Sequence, residues 1–238
     1  MTDFITFEDR PSYSPFVERV WRCHSQSGGG TFLSMAESNL ELVVSRLPGL
    51  LSVTLRGPVT RASMIDCPVE GDWFAIRFRP GTYFVQMPTG SLMDHRNAEF
   101  PVLGRDRFWF DGMVWEIPNF DTAETFVARL ARCGLIGRDD AVNAVIGGDR
   151  AALTKRSVQR HFLRSIGMTH SQYLQIGRAR KAACMLQEGR PILDVVFDAG
   201  YFDQAHLTRS LSRLIGLTPA KILRKETQLS FSYKAESE

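Results

Sequence analysis

One six-residue phrase occurs twice in this chain, and the repeat constrains the fold more than any other feature. Residues 164–169 read RSIGMT, and residues 213–218, 49 positions later, read RLIGLT. The match extends when the sequence is shifted by 49, because Arg160 then aligns with Arg209 and apolar residues align with apolar residues. Two copies are too few for a solenoid, so the sequence predicts a tandem pair of small helical motifs.

Charge is distributed unevenly along the 238 residues. Residues 138–226 carry 15 Lys and Arg against 8 Asp and Glu, whereas residues 1–137 carry 13 against 16. A concentration of basic charge around the repeat favours a polyanionic partner for that half. A well-solvated helical surface explains the same charge equally well, so charge alone leaves both readings open.

Several classes of protein are disfavoured by what the sequence lacks. No apolar run approaches the roughly 20 residues that span a membrane. The N-terminus lacks the basic start and apolar core of a signal peptide. The four cysteines are scattered and none forms a CxxC pair, which gives little support for a zinc site or a disulfide framework. We therefore expect a cytoplasmic protein with no cofactor, no metal and no membrane partner.

The first 120 residues have the pattern of strands. LELVVSRL, LLSVTLRG and WFAIRFRP are short apolar or alternating runs that Gly and Pro interrupt. The period changes over residues 120–136, where Phe126, Leu130 and Cys133 are three or four positions apart. A helix is therefore predicted there, capped by Asp121 or Thr122.

Start and stop signals divide the remaining chain into helices. A short helix is predicted over DDAVNAVIGG, and ILDVVFDA predicts another. Caps are predicted at Thr154, at Thr169 or Ser171, at Asp203, and at Thr218 before a proline. Helix ends are predicted near the glycines Gly167, Gly189, Gly200 and Gly216.

The second copy of the repeat has the order of a helix-turn-helix motif. A short apolar helix, a glycine, an aromatic residue and a capping aspartate precede a second helix. On that helix Leu207, Leu211 and Leu214 should face the core. The side chains predicted to meet DNA are Gln204, His206, Thr208, Arg209 and Arg213.

The first copy divides in the same way. Val158, Phe162 and Ile166 are four apart and should face inward. The side chains predicted to meet DNA are Lys155, Arg156, Gln159, Arg160 and Arg164. Arg can bond guanine and Gln can bond adenine in the major groove. Two such helices joined by one long helix would enter successive grooves about 34 Å apart.

These phrases together resemble the DNA-binding domain of the AraC/XylS family of bacterial transcription regulators. The matching stretches are LTKRSVQRHFLRSIGMTHSQYL and GRARKAACMLQEGRPILDVVFDAGYFDQAHLTRSLSRLIGLTPAKI, within about residues 150–225. The resemblance implies two helix-turn-helix motifs, a linker helix between them and double-stranded DNA as a partner. It also implies an N-terminal sensory or dimerisation domain, often a cupin-like β-barrel.

The resulting prediction is an α+β chain with a β-rich domain at 1–137, an all-α DNA-binding domain at 138–226 and a tail at 227–238. Two departures from the family pattern stand out. The stretch IGGDRAALT is shorter than the usual approach to the first recognition helix, so the first motif is predicted to be trimmed and its supporting helix displaced. Leu211 stands where the family usually has Phe, and it should fill the same apolar slot.

Other side chains have a structural and a functional interpretation. We expect Tyr201 in the core, His161 in packing, and the linker-helix residues Arg178, Arg180 and Lys181 in solvent. Arg77 and Arg79 should face water rather than bind a carboxylate. A set of aromatic side chains fits a core better than an effector pocket, although both are open: Trp73, Phe74, Phe78, Phe84, Phe108, Trp109, Phe110 and Trp115.

The predicted function is therefore sequence-specific DNA binding in transcription regulation, controlled by a small molecule or partner on the N-terminal domain. RNA polymerase and a second copy of the chain are further candidate partners. No GxSxG, HExxH or GxxxxGK[ST] motif is present, so we expect no enzyme. One alternative is an effector-independent regulator. The other is an alkylation-repair methyltransferase, for which Cys23 and Cys67 are the only hints.

Overall fold

The computed structural model describes residues 5–25, 29–149 and 153–224. The predicted α+β organisation is confirmed, because a β-rich region over residues 5–116 precedes a helical region. The chain divides into two compact units. The first comprises the residues up to Gly30 together with Ser38–Pro58 and Cys67–His170, and the second comprises Thr31–Glu37, Val59–Asp66 and the residues from Ser171 onward. The domain limits predicted at residues 137 and 226 stay predictions.

Most strands belong to the first unit, where a six-stranded antiparallel sheet has the order β1-β2-β7-β4-β5-β9. In chain order the strands are β1 (Ile5–Pro11), β2 (Val17–Ser25), β3 (Gly30–Ser34), β4 (Glu41–Leu47), β5 (Leu50–Arg56), β6 (Ser63–Cys67), β7 (Asp72–Phe78), β8 (Thr82–Phe84), β9 (Ala98–Phe100), β10 (Val102–Leu103), β11 (Arg107–Phe110), β12 (Met113–Glu116) and β13 (Ile136–Arg138). The three runs predicted as strands are β4, β5 and β7.

The core of the first unit lies against one face of this sheet. Val20, Ile76 and Leu42 are neighbours across β2, β7 and β4, and all three are buried. Their common face follows from the two-residue period of a strand. Helix α1 (Ala123–Arg132) adds Phe126 and Leu130 to the same core. Cys133, which has the same spacing, is exposed and caps the end of α1.

Two arginines on β7 and beyond it do not face water as predicted. Arg77 is 4% exposed, and its Nε donates to the Glu41 carboxylate at 2.8 Å. Arg79 donates to the backbone carbonyls of Ser12 and Ser14 at 2.8 and 2.9 Å. A charge can be buried when it is paired and hydrogen-bonded. The acceptors come from β4 and from the loop between β1 and β2, which the local sequence could not reveal.

The helices after α1 have bounds close to those predicted. They are α2 (Asp140–Ile146), α3 (Lys155–Ser165), α4 (His170–Gln187), α5 (Ile192–Asp198), α6 (Gln204–Leu214) and α7 (Pro219–Leu223), and a short 3-10 helix, Thr89–Leu92, precedes β9. Ser171 lies inside α4, so of the two predicted caps only Thr169 precedes the helix. The end predicted for the last helix and the tail at 227–238 fall outside the described residues. Within those residues, no helix has the length and apolarity to span a membrane.

Candidate nucleic-acid interface

Helix α6 is preceded by a five-residue turn that follows α5. Ala199 ends α5, and Gly200 has a φ of +69°, a conformation that favours glycine. The Asp203 carboxylate then accepts a hydrogen bond from the His206 backbone N–H at 2.6 Å. The carboxylate caps one of the backbone donors that a helix start leaves unpaired. The predicted cap is confirmed, and the segment has helix-turn-helix geometry.

The two faces of α6 differ as the spacing predicts. Leu207 and Leu211 are fully buried and Leu214 is 6% exposed. Leu211 therefore does fill an apolar slot. Arg209 and Arg213 lie on the side away from these leucines and are exposed, and Gln204, in the first turn, is exposed as well. This face offers hydrogen-bond donors and positive charge to an outside partner.

Thr208 and His206 are half-buried and have contacts of their own. The Thr208 hydroxyl donates to the Gln204 carbonyl at 2.8 Å. The His206 ring packs edge-on against buried Tyr201, with 5.1 Å between the ring centroids. Its Nδ1 accepts a hydrogen bond from the Phe202 backbone N–H at 3.4 Å. A neutral imidazole that accepts at Nδ1 carries its proton on Nε2, which can donate to a partner. The prediction of Tyr201 as a core residue is confirmed.

Helix α3 repeats this division within the first unit. Its cap is Thr154, whose hydroxyl accepts from the Ser157 backbone N–H at 3.2 Å. Phe162 is fully buried, Ile166 is 2% exposed and Val158 is 9% exposed. The five side chains predicted to meet DNA are all exposed: Lys155, Arg156, Gln159, Arg160 and Arg164.

Two side chains of α3 have neighbours within the first unit. The Arg164 guanidinium lies 5.2 Å from the centroid of the Tyr83 ring, a cation–π contact. His161 Nδ1 lies 2.9 Å from an Asp139 carboxylate oxygen, which supports the packing role expected for His161. Arg164 thus has a local partner that Arg213, its counterpart in the repeat, does not share.

The repeat in the sequence corresponds to a repeat in the structure. Helices α3 and α6 each span 11 residues, and their first residues are 49 positions apart. Gly167 and Gly216 follow them with φ angles of +82° and +84°. The next helices, α4 and α7, begin at His170 and Pro219, again 49 apart. The connections before the two copies differ, since residues 147–154 separate α2 from α3 while only residues 199–203 separate α5 from α6.

The linker helix α4 departs from prediction at two arginines. Arg178 stacks on the Tyr201 ring, 4.6 Å from its centroid, and donates to the Gly200 carbonyl at 3.2 Å. Arg180 is half-buried and pairs with Glu37. The solvated positions expected for both are therefore wrong, because partners distant in sequence bind them. Lys181 is exposed as expected.

The first unit also contains a cavity of about 590 Å³ over the sheet face that continues from the core. Phe7, Val44 and Phe74 supply apolar walls, and Phe120 lies at one side. Of the eight aromatic residues considered for a pocket, Trp73 and Phe74 line this cavity. Five of the others are core residues, and Trp109 is 47% exposed. The core interpretation is therefore confirmed for Phe78, Phe84, Phe108, Phe110 and Trp115.

Charged pairs surround the cavity. Arg22 Nε donates to the Glu8 carboxylate at 2.8 Å, and its guanidinium lies 4.6 Å from the Phe120 ring centroid. His24 Nδ1 lies 2.8 Å from an Asp72 carboxylate oxygen. Sequence reasoning missed these residues because strand pairing across 14 and 48 positions brings them together. The two-residue alternation of Val20, Arg22 and His24 along β2 was the available signal.

Cys23 and Arg46 complete the polar features of this cavity. Burial raises the pKa of the Cys23 thiol to about 12, so the group stays protonated at neutral pH. Arg46 is exposed, and its Nη1 makes a long contact of 3.5 Å with the Arg105 carbonyl. The described residues, which include all four cysteines, contain no cluster of three or more His, Cys, Asp or Glu that could hold a metal ion.

The comparisons with known proteins bear on the helical region. A family model described as a helix-turn-helix domain matches residues 148–225. No curated protein and no solved structure matches the chain. The match supports a helix-turn-helix domain of the AraC type, which agrees with the turn before α6 and the cap at Asp203. The fold and this domain together define the class: a DNA-binding transcription regulator.

Proposed function

We propose that this regulator binds specific duplex DNA through two recognition helices, α6 and α3. The observation that carries the proposal is the repeated geometry of the two helices. Each has a capped start, a buried apolar face and exposed Arg and Gln side chains, and α3 also exposes Lys155. Recognition helices contact base edges mainly with residues near their N-terminal ends. Lys155, Arg156 and Gln204 lie in the first turns of their helices, and Arg209 lies in the middle of α6.

The side chains divide by the contacts that they suit. Arg209, Arg156, Gln159 and Gln204 would supply base contacts, because Arg and Gln can bond guanine and adenine with two hydrogen bonds. Positive charge along the same face would bind phosphates and make the affinity strongly dependent on salt. The proposal that both helices bind DNA rests on the repeat. The connection before α3 is longer than the turn before α6, so the short turn supports this role for α6 alone.

A selection from a random duplex DNA pool with the full chain, at near-physiological salt, tests this function. Two conserved half-sites, about one helical turn apart, are the expected result. One half-site would mean that α6 reads bases while α3 at most contacts backbone. Binding without enrichment, lost as salt rises, would contradict sequence-specific recognition.

We further propose that the cavity over the sheet binds the effector, a small molecule with an apolar body and one acidic group. A volume of about 590 Å³ suits a small molecule. The apolar walls would pack against the body. Arg46 would pair with the acidic group. Its guanidinium makes a long contact of 3.5 Å with the Arg105 carbonyl, and a carboxylate of the ligand could replace that contact.

A thermal-shift screen with aromatic and aliphatic monocarboxylates tests the cavity. A ligand that binds the folded chain raises the melting temperature, and the stabilisation grows with the logarithm of its concentration relative to its dissociation constant. Arg46→Gln should remove the shift, whereas Arg105→Gln, an exposed arginine outside the cavity lining, should retain it. No shift with any acid would contradict an acidic effector, and no shift across a broad metabolite panel would favour the effector-independent regulator. Homodimerisation and contact with RNA polymerase stay predictions.

A further inference from the structure

The C-terminal ends of α3 and α6 accept hydrogen bonds from the N-terminal part of the chain at equivalent positions. In the first unit, the Thr89 hydroxyl donates to the Ser165 carbonyl at 3.1 Å. In the second unit, the Ala36 backbone N–H donates to the Leu214 carbonyl at 2.7 Å. Ser165 and Leu214 are 49 positions apart, so they are the same position of the repeat.

The glycines that follow these helices are contacted in both units as well. A Cβ built on Gly167 would lie 3.0 Å from the Gly90 nitrogen and from the Thr89 carbonyl carbon. A Cβ built on Gly216 would lie 2.7 Å from a Leu33 methyl carbon and 3.0 Å from the Ala62 Cβ. In both copies the glycine has no side chain, so a segment from much earlier in the chain can approach the end of the helix. The contact at Ser165 is therefore one of two matching sets.

The second set includes one more hydrogen bond. The Ala62 backbone N–H donates to the Arg213 carbonyl at 3.0 Å. The carbonyls of a helix's last turn have no partner within the helix. Buried carbonyls need partners from elsewhere, and Thr89 and Ser165 are each 1% exposed. Each recognition helix is thus completed by a donor that lies far from it in sequence.

We propose that Thr89, in the first unit, and Leu33, Ala36 and Ala62, in the second, are positioning residues for DNA recognition. We call the two sets the end clamps. Each end clamp fixes the C-terminal end of its helix and leaves the N-terminal part of the helix exposed for contact with DNA. A structural change in the N-terminal part of the chain would alter the affinity for DNA through these contacts. The inference rests on the proposed role of α3 and α6 in reading DNA.

The first end clamp is tested with variants of Thr89 in the full chain. Thr89→Val keeps the shape of the side chain but leaves the Ser165 carbonyl without its donor. Affinity for the selected site should fall roughly threefold to tenfold, through the half-site of α3. Thr89→Ser should restore binding because it restores the hydroxyl. The matched control is Thr82→Val, since Thr82 is 2% exposed and its hydroxyl contacts the Phe16 carbonyl at 3.4 Å.

The second end clamp is tested with Leu33→Ala. This change removes the contact with Gly216 and should weaken binding through the half-site of α6 alone. Its control is Leu40→Ala, because Leu33 and Leu40 are 5% and 4% exposed and Leu40 lies in the sheet core of the first unit. Half-site-specific losses, absent from the controls, support the end clamps. Equal losses in variants and controls, or uniform losses over both half-sites, would overturn them.

Amide hydrogen exchange separates this inference from the proposed function. Thr89→Val should speed exchange at Ile166 and Gly167, and Leu33→Ala should speed it at Ile215 and Gly216, because each helix end loses a contact. Both effects are expected even if the wild-type chain selects no DNA site, in which case the proposed function fails and the contacts stand. Exchange unchanged at both helix ends would overturn the end clamps, whatever the DNA result.

Discussion

The two copies of the repeat have nearly the same helix and very different surroundings. Helix α6 follows α5 after five residues, whereas eight residues separate α3 from α2. Arg164 is exposed and stacks on Tyr83 within the first unit, while Arg213 is exposed and its backbone carbonyl accepts a hydrogen bond from Ala62. The repeat thus specifies the helix, its cap and its glycine, and each unit supplies different neighbours. We therefore expect the buried faces of the two copies to contribute similarly to stability and their exposed faces to contribute differently to DNA binding.

The buried faces should give the largest effects, and they should be similar in the two copies. Phe162→Ala should lower the free energy of unfolding by about 3–5 kcal/mol and Leu211→Ala by about 2–5 kcal/mol, because both side chains are fully buried. Urea unfolding measures the loss. The control Leu163→Ala, at a side chain 45% exposed, should change stability by less than about 0.5 kcal/mol. A neutral Leu211→Ala would break the equivalence of the two cores.

Toward DNA, α6 should contribute more than α3. Arg209→Ala should cost roughly 1–3 kcal/mol of binding free energy at the selected site, since the short turn fixes α6. Arg160→Ala, at the equivalent position, should cost less. Fluorescence anisotropy with the selected duplex and with random DNA measures both, with Lys221→Ala as a control for lost charge. If Arg209→Ala weakens both DNAs equally, Arg209 binds phosphate and reads no base.

The sequence was sufficient for what the repeat itself encodes. Spacing alone predicts that Leu207 and Phe162 face inward. The capping chemistry of aspartate predicts that Asp203 begins α6. The sequence was insufficient wherever a partner comes from a distant strand or helix. Arg77 has its partner across a sheet, and Arg178 stacks on a residue 23 positions away, so neither contact leaves a local pattern.

The cavity and the end clamps have the same origin. Arg22 and Phe120 meet because the sheet brings distant segments together. Thr89 reaches Ser165 across 76 positions. Helix boundaries depend on neighbours three or four residues apart, and the sequence therefore predicts them well. Tertiary contacts depend on register and packing, which a single sequence does not display.

Helix caps offer a smaller test of the same comparison. Asp203→Ala and Thr154→Ala should each cost about 1 kcal/mol of stability, because each leaves a backbone N–H without its acceptor. Asp203 should cost more, since its hydrogen bond is 2.6 Å long against 3.2 Å at Thr154, and its negative charge lies at the positive end of the helix. Thermal unfolding measures both. Asp203→Asn and Thr154→Ser should retain most of the stability, and a larger loss at Thr154 would reverse the ranking.

Acid should affect the unit that contains α3 through a pair distant from the helix. The Arg10 guanidinium donates to the Glu124 carboxylate at 2.6 and 2.9 Å, and it lowers the pKa of Glu124 from 4.5 to about 2. The charged form is therefore favoured in the folded chain. Its contribution to stability is complete above pH 4.5 and is lost as the pH falls through about 2.

The effect should be the smallest of the four, because both side chains are about one-third exposed and solvent screens the pair. Glu124→Gln should flatten the fall in unfolding free energy between pH 4.5 and 2. Glu116→Gln, at an exposed carboxylate of the same unit, is the control. Hydrogen exchange at acid pH should then show protection decreasing around α3 before it decreases around α6. If protection decreases around α6 first, or around both helices at once while Glu124→Gln behaves as the wild type does, this pair does not distinguish the two copies.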